Sequence, residues 1–487
     1  MEYKQLLEGI AHGGTAPPGQ ATLVTQDSRR AGPGAVFVAA QGKSVDGHTF
    51  AAAALEAGAG MVVTGRPLGL PNEVTVENPR AAYALMCANF FGRPADRLTL
   101  TAVTGTNGKT TVSSVLKQVL QALGHPCGLI GTIQSEIGEM AIPAKYTTPE
   151  AWDLHALLAR MVAAGCTHAV MEASSQALAQ DRLHGLRFSL GIFTNLTQDH
   201  LDYHGDMQAY FAAKASLFAQ CDALLANVDD AWGLRLMDEA PCEAKRGFSV
   251  AGQNTADFTA RNVDLRSGDV RFAFMGEGFL QPVAFPIPGG YSAENALAAG
   301  GAAVMLGCEP PAVAKALSGI AGVRGRCEVL HNGAFTVIRD FAHTGDAIDK
   351  LLASLKPFVA SRLLVLFGCA GQRDAAKRPA MGAAAARYGD MLYITADNPR
   401  EEPVAQTIAD ALEPIEASGK PFTAVLDREA AIHLALAEAR PGDMVVLCGK
   451  GHEDYQVLDG LTLYLDERVV VEAWLAQHPP NGAAAGP

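Results

Sequence analysis

The sequence lacks the cysteine patterns of a disulfide scaffold or a zinc site. Its nine cysteines are spread over 487 residues, with no CxxC pair and no clustered spacing. Disulfide-rich domains and zinc sites place their cysteines at short, regular intervals. We therefore expect reduced thiols, as in a cytoplasmic protein.

Long hydrophobic runs are also missing. The longest apolar stretch, residues 295–307, is shorter than the roughly 18 to 20 residues that a membrane span needs. Residues 1–14 do not combine a basic start with an apolar segment, so no secretory signal is predicted. We expect a cytoplasmic protein without a membrane span.

Positive charge is scarce. Lys and Arg number 38 against 51 Asp and Glu, which gives a formal net charge of -13. Duplex nucleic acid is bound through a basic face, so nucleic acid is not expected as a partner. A small anionic substrate needs only a local cluster of cations and stays compatible with this balance.

Coiled-coil heptads are also missing from the sequence, so we expect a monomer.

The composition that is present indicates a globular protein of several domains. Hydrophobic residues make up 49% and charged residues 18% of the chain. A chain of 487 residues is longer than a single hydrophobic core usually supports. We predict three domains, at residues 1–97, 98–324 and 325–487, with a disordered tail from about residue 479.

Strand and helix patterns alternate along the chain. This alternation predicts an α/β fold of mostly parallel sheets, with ligands bound beyond the carboxyl ends of the strands. Residues 245–285 are richer in short strand patterns. In the last domain we expect five strands, each followed by a helical segment, within residues 335–342, 362–368, 391–396, 423–427 and 443–449.

The strongest local motif is LTAVTGTNGKTTVSSVLKQVLQALG at residues 100–124. A strand pattern enters a glycine-rich turn, and an amphipathic helix pattern follows and ends before Gly124. In this arrangement backbone N–H groups and the helix dipole face a phosphate. The candidate phosphate-binding residues are Gly105, Thr106, Asn107, Gly108, Lys109, Thr110 and Thr111.

Two details refine this prediction. Lys109 would neutralise the β- and γ-phosphates, and the Thr110 hydroxyl would help to hold Mg²⁺. Val103 stands where the usual P-loop pattern has its first glycine. The alternative is a tight glycine turn that simply precedes a helix.

Acidic and histidine residues follow two further strand patterns. Glu172 ends one strand, where a carboxylate is either a Mg²⁺ ligand or an acid at a helix start. His200, Asp202 and His204 follow another strand, and each is either a site residue or a side chain satisfied within the core.

Lys214 lies in an apolar helical stripe with Phe211, Leu217 and Phe218. One interpretation is a lysine that extends its ammonium group to water. The other is a desolvated amine with a lowered pKa that can react as a nucleophile.

The stretch MLYITADNPREEP at residues 391–403 predicts a strand, a turn and a helix start. Pro399 fixes its own φ and keeps Asn398 out of the helical region. Arg400 is then either a solvated turn residue or a site for an anion.

Together these motifs resemble the Mur ligase family, ATP-dependent amide-forming enzymes of peptidoglycan precursor synthesis. The resemblance covers essentially the whole chain. It rests on DSR at 27–29, TGTNGKTT at 104–111, TTP at 147–149, MEASSQALAQDR at 171–182, TNLTQDHLDYHGDM at 194–207, GRCE at 325–328, DFAHTGDA at 340–347, KRP at 377–379, DNPR at 397–400 and GKGHEDYQ at 449–456. The chain departs from the usual family residues at Gln176, Gly345 and Gln372, among others.

The resemblance implies three α/β domains: a small UDP-binding domain, a central P-loop ATPase-like domain and a Rossmann-like domain that binds the amino acid. It implies a ligase that adds meso-diaminopimelate to UDP-N-acetylmuramoyl-L-alanyl-D-glutamate. ATP converts the substrate carboxylate to an acyl phosphate, and the amine then displaces phosphate. These small molecules are the expected partners, with ATP as co-substrate and Mg²⁺ as cofactor.

Residue roles follow from the resemblance alone. The implied catalytic residues are Lys109, Glu172, His200 and Lys214, with Lys214 carbamylated by CO₂. Mg²⁺ would be held by Thr110, Glu172, His200 and Lys214. ATP would be bound by residues 105–111 together with Asn295 and His343.

The other two substrates have implied sites of their own. The UDP-muramoyl-dipeptide would be bound by Ser28, Arg29, Thr147, Thr148, Ser174, Gln180 and Arg182. Diaminopimelate would be bound by Arg373, Asp397, Asn398, Arg400, Gly449 and Glu453. Read without the resemblance, residues 27–29 are an Asp-Ser turn.

Alternative functions are a ligase of the same fold that adds L-lysine or uses a folate acceptor, and a nucleotide-dependent switch. A folate ligase leaves residues 27–29 and 174–182 unexplained. A GTP switch would carry an NKxD-type signature after the loop, and the sequence has none.

Overall fold

The computed structural model describes residues 1–42, 45–253, 255–266 and 268–478. The tail from about residue 479, predicted to be disordered, lies outside these ranges. Among the described residues, no helix combines the length and the apolar character needed to cross a membrane.

The first sheet has four parallel strands in the order β1-β2-β3-β4. Its strands are β1 (Leu23–Thr25), β2 (Ala35–Val38), β3 (Met61–Thr64) and β4 (Glu73–Thr75). The helices of this part are α1 (Tyr3–Leu6), α2 (Ala51–Glu56) and α3 (Pro79–Phe90). Asn78 begins α3 because its side chain accepts hydrogen bonds from the next free backbone N–H groups.

The second sheet is large and mostly parallel. Its strands are β5 (Thr99–Thr104), β6 (Cys127–Ile130), β7 (Gln134–Ile137), β8 (Met140–Pro143), β9 (His168–Glu172), β10 (Leu190–Phe193), β11 (Ala223–Asn227), β12 (Ala244–Ser249), β13 (Phe258–Leu265), β14 (Val270–Gly276) and β15 (Phe279–Phe285). Their order is β15-β14-β13-β12-β11-β10-β5-β9-β6-β7-β8, and only the pairs at the two ends are antiparallel.

Helices cover both faces of this sheet. They are α4 (Lys109–Ala122), α5 (Ala151–Ala163), α6 (Ser175–Ala179), α7 (Leu201–His204), α8 (Met207–Ala215), α9 (Ala231–Glu239), α10 (Gly290–Met305) and α11 (Pro310–Ser318). Strand β5 is buried almost throughout, as expected for a strand covered on both faces. Residues 105–108 connect its carboxyl end to the start of α4.

The third sheet has the order β16-β17-β21-β18-β19-β20, and only the β16–β17 pair is antiparallel. The strands are β16 (Glu328–Asn332), β17 (Thr336–Asp340), β18 (Leu363–Cys369), β19 (Met391–Ala396), β20 (Phe422–Ala424) and β21 (Met444–Cys448). Its helices are α12 (Gly345–Leu355), α13 (Arg378–Tyr388), α14 (Val404–Ser418), α15 (Arg428–Glu438) and α16 (Glu467–Gln477).

The prediction of a helix after every strand in this region is wrong for β21. An antiparallel hairpin of β22 (Tyr455–Leu458) and β23 (Leu461–Tyr464) comes first, and α16 follows it. Asp459 and Gly460 both have positive φ, which permits the tight turn between the two strands. The hairpin places residues 455–458 next to the turn after β19.

The predicted α/β architecture with mostly parallel sheets is confirmed. Each main sheet lies within one of the three ranges proposed as domains, whereas the boundaries themselves stay a prediction. One buried apolar cluster runs from Val103 on β5 to Cys448 on β21, so the second and third sheets pack within a continuous core.

Candidate functional site

The glycine-rich loop joins the carboxyl end of β5 to the start of α4. Gly105 has φ +146° and Gly108 has φ +88°, a region that residues with a Cβ rarely adopt. A Cβ on Gly105 would lie 1.9 Å from Thr194 Oγ1, and one on Gly108 would lie 2.6 Å from Asn295 Oδ1. The loop can therefore follow this path only with glycine at both positions.

Two lysine amines converge on this loop. Lys109 Nζ donates to Gly105 O at 3.0 Å and to Thr106 O at 2.9 Å. Lys214 Nζ donates to the same Gly105 O at 2.7 Å. Burial lowers the pKa of both amines, and the nearby Lys109 charge lowers the pKa of Lys214 further.

Lys214 is buried, with 1% of its surface exposed. Its ammonium group does not extend to water, so the interpretation as a solvent-reaching lysine is wrong. Its Nζ lies 4.6 Å from the centre of the Tyr210 ring. The Lys214 amine is therefore desolvated, as the second interpretation requires.

Glu172 is the last residue of β9 and is fully buried. Its Oε2 accepts hydrogen bonds from Thr110 Oγ1 at 3.0 Å and from Thr132 Oγ1 at 2.8 Å, and its Oε1 accepts one from Thr132 N at 2.7 Å. The interpretation of Glu172 as a helix-start acid is wrong, because Ser174 caps α6.

His200 precedes α7 with φ +55° and lies at the edge of the cavity that contains the loop. Burial lowers the pKa of its ring to about 4. The neighbouring Asp199 is a residue that the sequence interpretation missed. Burial opposes its ionisation, but His200, His343 and Lys377 together lower its pKa to about 2. A carboxylate beside a predicted site histidine is the signal that could have identified it.

His204, the third residue of that predicted group, contacts the core. Its Nε2 lies 2.9 Å from Ser175 Oγ, and its ring stacks on Tyr210. Asp202, the second, lies on α7 and does not line the cavity that the described residues form.

The remaining ATP candidates lie around the loop. Thr106, Thr110 and Thr111 are buried. Asn107 N donates to Asn195 Oδ1 at 2.9 Å, and Asn107 Nδ2 donates to Asp346 Oδ2 at 3.2 Å.

Asn295 and His343 approach the loop from other elements. Asn295 lies on α10, next to Gly108. The His343 ring lies in the turn after β17, donates from Nδ1 to Phe341 O at 2.8 Å, and has its pKa lowered by burial.

Most of the predicted muramoyl-dipeptide contacts form one hydrogen-bonded group. Thr148 Oγ1 donates to Glu172 O at 2.7 Å and accepts from Ser174 N at 3.0 Å. Arg182 Nη1 donates to Thr148 O at 2.9 Å, and Arg182 Nη2 donates to Gln180 Oε1 at 2.7 Å. This group therefore adjoins the backbone of Glu172.

Thr147 joins the same group through Thr132. The single hydroxyl proton of Thr132 goes to Glu172 Oε2, so Thr132 Oγ1 accepts from Thr147 Oγ1 at 3.1 Å. The hydroxyl groups of Thr110 and Thr132 thus bind one carboxylate, and Thr147 joins them through Thr132.

Ser28 and Arg29 lie elsewhere, on the first sheet's side of the molecule. Asp27 caps a 3-10 helix, Ser28–Arg30, and accepts hydrogen bonds from Arg29 N and Arg29 Nε. The Arg29 side chain is 87% exposed. Local geometry thus matches the Asp-Ser turn, and the role in UDP binding stays a prediction.

The predicted diaminopimelate residues gather where β18, β19 and β21 end. Asn398 Nδ2 donates to Glu453 Oε2 at 2.8 Å. Gly449 has φ +113°, and a Cβ there would lie 3.0 Å from Asp397 Oδ2. The turn after β19 and the segment after β21 are therefore in direct contact.

Arg400 is half-buried and has φ +57°. Its Nη1 donates to Gly371 O at 2.6 Å and to Asn398 O at 3.3 Å. Burial lowers the pKa of its guanidinium group, and the nearby Arg373 charge lowers it further. Two guanidinium groups close together provide a site for a carboxylate.

One cavity of about 790 Å³ joins these groups. The predicted residues that line it are Thr106, Asn107, Gly108, Lys109, Thr110, Thr111, Thr147, Thr148, Glu172, Ser174, Arg182, His200, Lys214, Asn295, His343, Arg373 and Glu453. The predicted residues outside its lining are Ser28, Arg29, Gly105, Gln180, Asp397, Asn398, Arg400 and Gly449.

Arg326 is a second cavity residue that the sequence interpretation missed. Its Nη2 donates to Thr110 Oγ1 at 3.1 Å, and its guanidinium group lies 4.6 Å from the centre of the Phe341 ring. Burial lowers its pKa. The arginine in the GRCE motif was visible in the sequence, but its contact with Thr110 joins residues that are 216 positions apart.

The oxygen atoms beside the loop suit Mg²⁺. Glu172 supplies a carboxylate and Thr110 a hydroxyl group, which are ligands that this ion prefers. Among the residues that the structure describes, no three or more His, Cys, Asp or Glu side chains are grouped to hold a metal. Mg²⁺ commonly uses one or two carboxylates with waters and substrate phosphates, so the residues present fit it.

Comparison with known proteins identifies the family. Residues 20–88 match the "Mur ligase family, catalytic domain", residues 103–303 the "Mur ligase middle domain", and residues 325–451 the "Mur ligase, glutamate ligase domain".

Individual relatives are similar over nearly the whole chain. The UDP-N-acetylmuramoyl-L-alanyl-D-glutamate--2,6-diaminopimelate ligase of Solibacter usitatus is 41% identical, covering 93% of this chain and 92% of its own. The ligase of the same name from Clostridium tetani is 38% identical, covering 92% and 93%.

A solved structure with this enzyme name superposes with a TM-score of 0.72 at 33% identity, covering 98% of this chain and 99% of its own. The phosphate loop, the buried carboxylate and the arrangement of sheets thus occur in a chain that belongs to the Mur ligase family.

Proposed function

We propose that this protein is an ATP-dependent ligase that adds meso-diaminopimelate to UDP-N-acetylmuramoyl-L-alanyl-D-glutamate. One observation carries the proposal: Arg373 and Glu453 line the same cavity as Lys109 and Glu172. The loop and two of the residues proposed to bind the amino acid therefore face one space. The relatives named above carry this activity in their names, which favours diaminopimelate over L-lysine.

The chemistry assigned to the loop is phosphoryl transfer to the substrate carboxylate. This reaction depends on positioning and on neutralising charge more than on covalent participation by the protein. The Thr106 and Asn107 N–H groups already donate to Asn195, so Lys109 and the other backbone N–H groups of residues 105–109 would orient the phosphates. Mg²⁺, bound at Glu172 and Thr110, would supply further neutralisation of phosphate charge.

Binding of the acceptor is assigned to the group around Thr148, Ser174 and Arg182. Arg182 carries a cation to the cavity wall, where it is paired with Glu150 at 2.7 Å. It would orient the dipeptide carboxylate toward the loop. The UDP end is assigned to Ser28 and Arg29 on the strength of family resemblance.

The amine is assigned to the end of the third sheet. Meso-diaminopimelate differs from lysine by one extra carboxylate, on the carbon that carries its second amino group. Arg400 and Arg373 would bind that carboxylate, and Glu453 would face the ammonium group.

Lys214 is proposed to be carbamylated. Its buried amine has a lowered pKa, so the neutral form that attacks CO₂ is favoured. A new N–C bond forms, one proton leaves the nitrogen, and a carbamate anion results. That anion would lie beside Lys109, the other lysine that donates to Gly105 O.

The test is a reaction containing ATP, Mg²⁺ and UDP-N-acetylmuramoyl-L-alanyl-D-glutamate, with either meso-diaminopimelate or L-lysine. We expect ADP release only when acceptor and amine are both present, and a higher kcat/KM for diaminopimelate. Equal or better use of L-lysine would contradict the substrate assignment. ADP release that ignores the amine would contradict the ligase assignment.

A further inference from the structure

Lys450 is a fully buried lysine directly beside the amino-acid site, and neither the motifs nor the predicted binding set assigns it a role. It follows Gly449, just after β21, and none of its surface is exposed. Its Nζ donates to Glu453 Oε2 at 2.8 Å and to Asn398 Oδ1 at 3.0 Å, and it lies 3.7 Å from Asp397 Oδ1.

An ammonium group without water is costly unless acceptors replace its hydration. Here the two hydrogen-bond acceptors and Asp397 belong to the set proposed to bind diaminopimelate, and the centre of the Tyr455 ring lies 5.1 Å from Lys450 Nζ. Glu453 lines the cavity, whereas Lys450 does not. Lys450 can therefore act on the amino acid only through the residues that it holds.

Lys450 also decides which way the Asn398 amide points. Asn398 Oδ1 accepts from both Lys450 Nζ and Val457 N, at 3.0 and 2.9 Å. These two donors require the oxygen on their side, so the amide NH₂ must face the opposite way. It donates to Glu453 Oε2 at 2.8 Å.

The result is a closed arrangement in which two side chains donate to one carboxylate oxygen of a third. Glu453 Oε2 accepts from the Lys450 ammonium group and from the Asn398 amide. Oε2 is thereby held in place. Within the described part of the chain, Oε1 accepts no hydrogen bond and so can meet a ligand ammonium group. Without Lys450, Glu453 and Asp397 would lose the ammonium group that lies 2.8 and 3.7 Å from their oxygen atoms, with the Arg400 guanidinium group still near both.

We propose that Lys450 is a positioning residue that sets discrimination between meso-diaminopimelate and lysine. This inference rests on the proposed function. Lysine keeps the second ammonium group but lacks the extra carboxylate, so it gains nothing from a correctly placed Arg400. Lys450 acts on Arg400 through Asn398, whose carbonyl oxygen accepts a hydrogen bond from Arg400 Nη1 at 3.3 Å. Removing Lys450 should therefore weaken use of diaminopimelate more than use of lysine.

The experiment compares Lys450→Met and Lys450→Gln with the intact protein. Lys117→Met is the matched control, since Lys117 is another largely buried lysine, paired with Glu136 away from the third sheet. Steady-state KM and kcat are measured for diaminopimelate, L-lysine and ATP, and melting temperature is measured for every protein. The Gln variant, which keeps a donor and a polar head, decides the question if the Met variant does not fold.

For Lys450 variants we expect KM for diaminopimelate to rise about 10- to 100-fold, the usual effect of losing a hydrogen bond to a charged group. KM for ATP should stay within about threefold, and the preference for diaminopimelate over lysine should fall. Lys117→Met should leave all three KM values unchanged.

A double variant with Arg400→Ala tests whether the discrimination that Lys450 sets acts through Arg400. We expect the double variant to be less impaired than the product of the two single effects predicts. The inference would be overturned if the KM increases of the two single variants multiplied in the double variant. It would also be overturned by an unchanged KM for diaminopimelate in the Lys450 variants, or by equal rises of KM for diaminopimelate and ATP. Failure of the intact protein to use diaminopimelate would instead overturn the proposed function.

Discussion

Arg400 shows how a single residue at a turn is held in place by distant backbone. Its N–H donates to Val457 O at 2.9 Å, and its own carbonyl accepts from Asp459 N at 2.7 Å. Both partners lie in or next to the β22–β23 hairpin. A non-glycine residue with φ +57° is uncommon and is kept there by such surrounding contacts. The backbone of Arg400 is therefore set before any ligand arrives.

Replacing Arg400 tests the carboxylate site directly. Arg400→Ala should raise KM for meso-diaminopimelate about 10- to 100-fold, because a charge-assisted hydrogen bond is lost. KM for ATP should change little. Steady-state kinetics measure both values, and Arg387→Ala, at an exposed arginine paired with Asp349, serves as the control. Equal rises in the two KM values would contradict the assignment.

Carbamylation of Lys214 has a chemical test. Lys214→Ala should lose nearly all activity, and added bicarbonate or a short carboxylate should restore part of it by replacing the missing anion. Activity is measured with and without each additive, and mass spectrometry of the intact protein in bicarbonate checks for the added CO₂. Full activity of Lys214→Ala without additives would contradict the role.

At the scale of elements, the strand–loop–helix unit β5–α4 depends on its glycines. Gly108→Ala places a Cβ 2.6 Å from Asn295 Oδ1 at φ +88°. We expect KM for ATP to rise at least about tenfold, because the loop must shift away from the phosphates. Gly124→Ala is the matched control, since Gly124 has φ +86° but its added Cβ meets nothing within 4 Å. Gly124→Ala should lose stability without losing ATP affinity.

Helix α5 carries a buried histidine that makes folding stability depend on pH. Within the described structure, neither ring nitrogen of His155 has a hydrogen-bond partner, and burial lowers its pKa to about 4. The unfolded chain binds the proton near the ordinary value of about 6.5. Above about pH 6.5 His155 is neutral in both states and does not reduce the free energy of unfolding. As the pH falls from 6.5 toward 4, the unfolded chain takes up a proton that the folded protein does not, so the free energy of unfolding falls.

His155→Leu should remove this dependence. Between pH 7 and pH 5 the free energy of unfolding of the intact protein should fall by about 2 kcal/mol more than that of the variant. Denaturant unfolding at both pH values measures the difference. The control is His184→Leu, at an exposed histidine, and its free energy of unfolding should fall as much as that of the intact protein. The same fall in both proteins would rule His155 out as the source.

At the scale of the whole molecule, two residues of the C-terminal part of the chain, Arg326 and Asp346, contact the phosphate loop. Arg326 Nη2 donates to Thr110 Oγ1 at 3.1 Å, and Asp346 Oδ2 accepts from Asn107 Nδ2 at 3.2 Å. These contacts join the two halves of the cavity. We therefore expect nucleotide affinity at the loop to depend on the relative placement of the second and third sheets.

Arg326→Ala tests this link. Loss of both the cation and the Thr110 contact should raise KM for ATP about 10- to 100-fold. Arg362→Ala is the control, because Arg362 pairs with Asp443 and does not line the cavity. Kinetics with varied ATP measure the effect. An unchanged KM for ATP in Arg326→Ala would show that the contact does not contribute.

Much of the fold could be predicted because its signals are local. The alternation of strand and helix patterns predicted parallel sheets, and residues 105–111 were identified as one contiguous motif. The hairpin after β21 was missed because the expected strand–helix alternation gave no reason to place two short strands there. Burial of Lys214 was undecided for a different reason: helical spacing shows which face a residue shares, not what covers that face.

The sequence by itself determined the phosphate loop, since strand, glycines, lysine and helix follow one another along the chain. Only the tertiary structure decided which groups meet it. Lys214 donates to Gly105 across 109 positions, Arg326 to Thr110 across 216, and Lys450 to Asn398 across 52. Such contacts arise where the ends of separate parallel strands converge, and a pattern read along the chain does not contain that convergence.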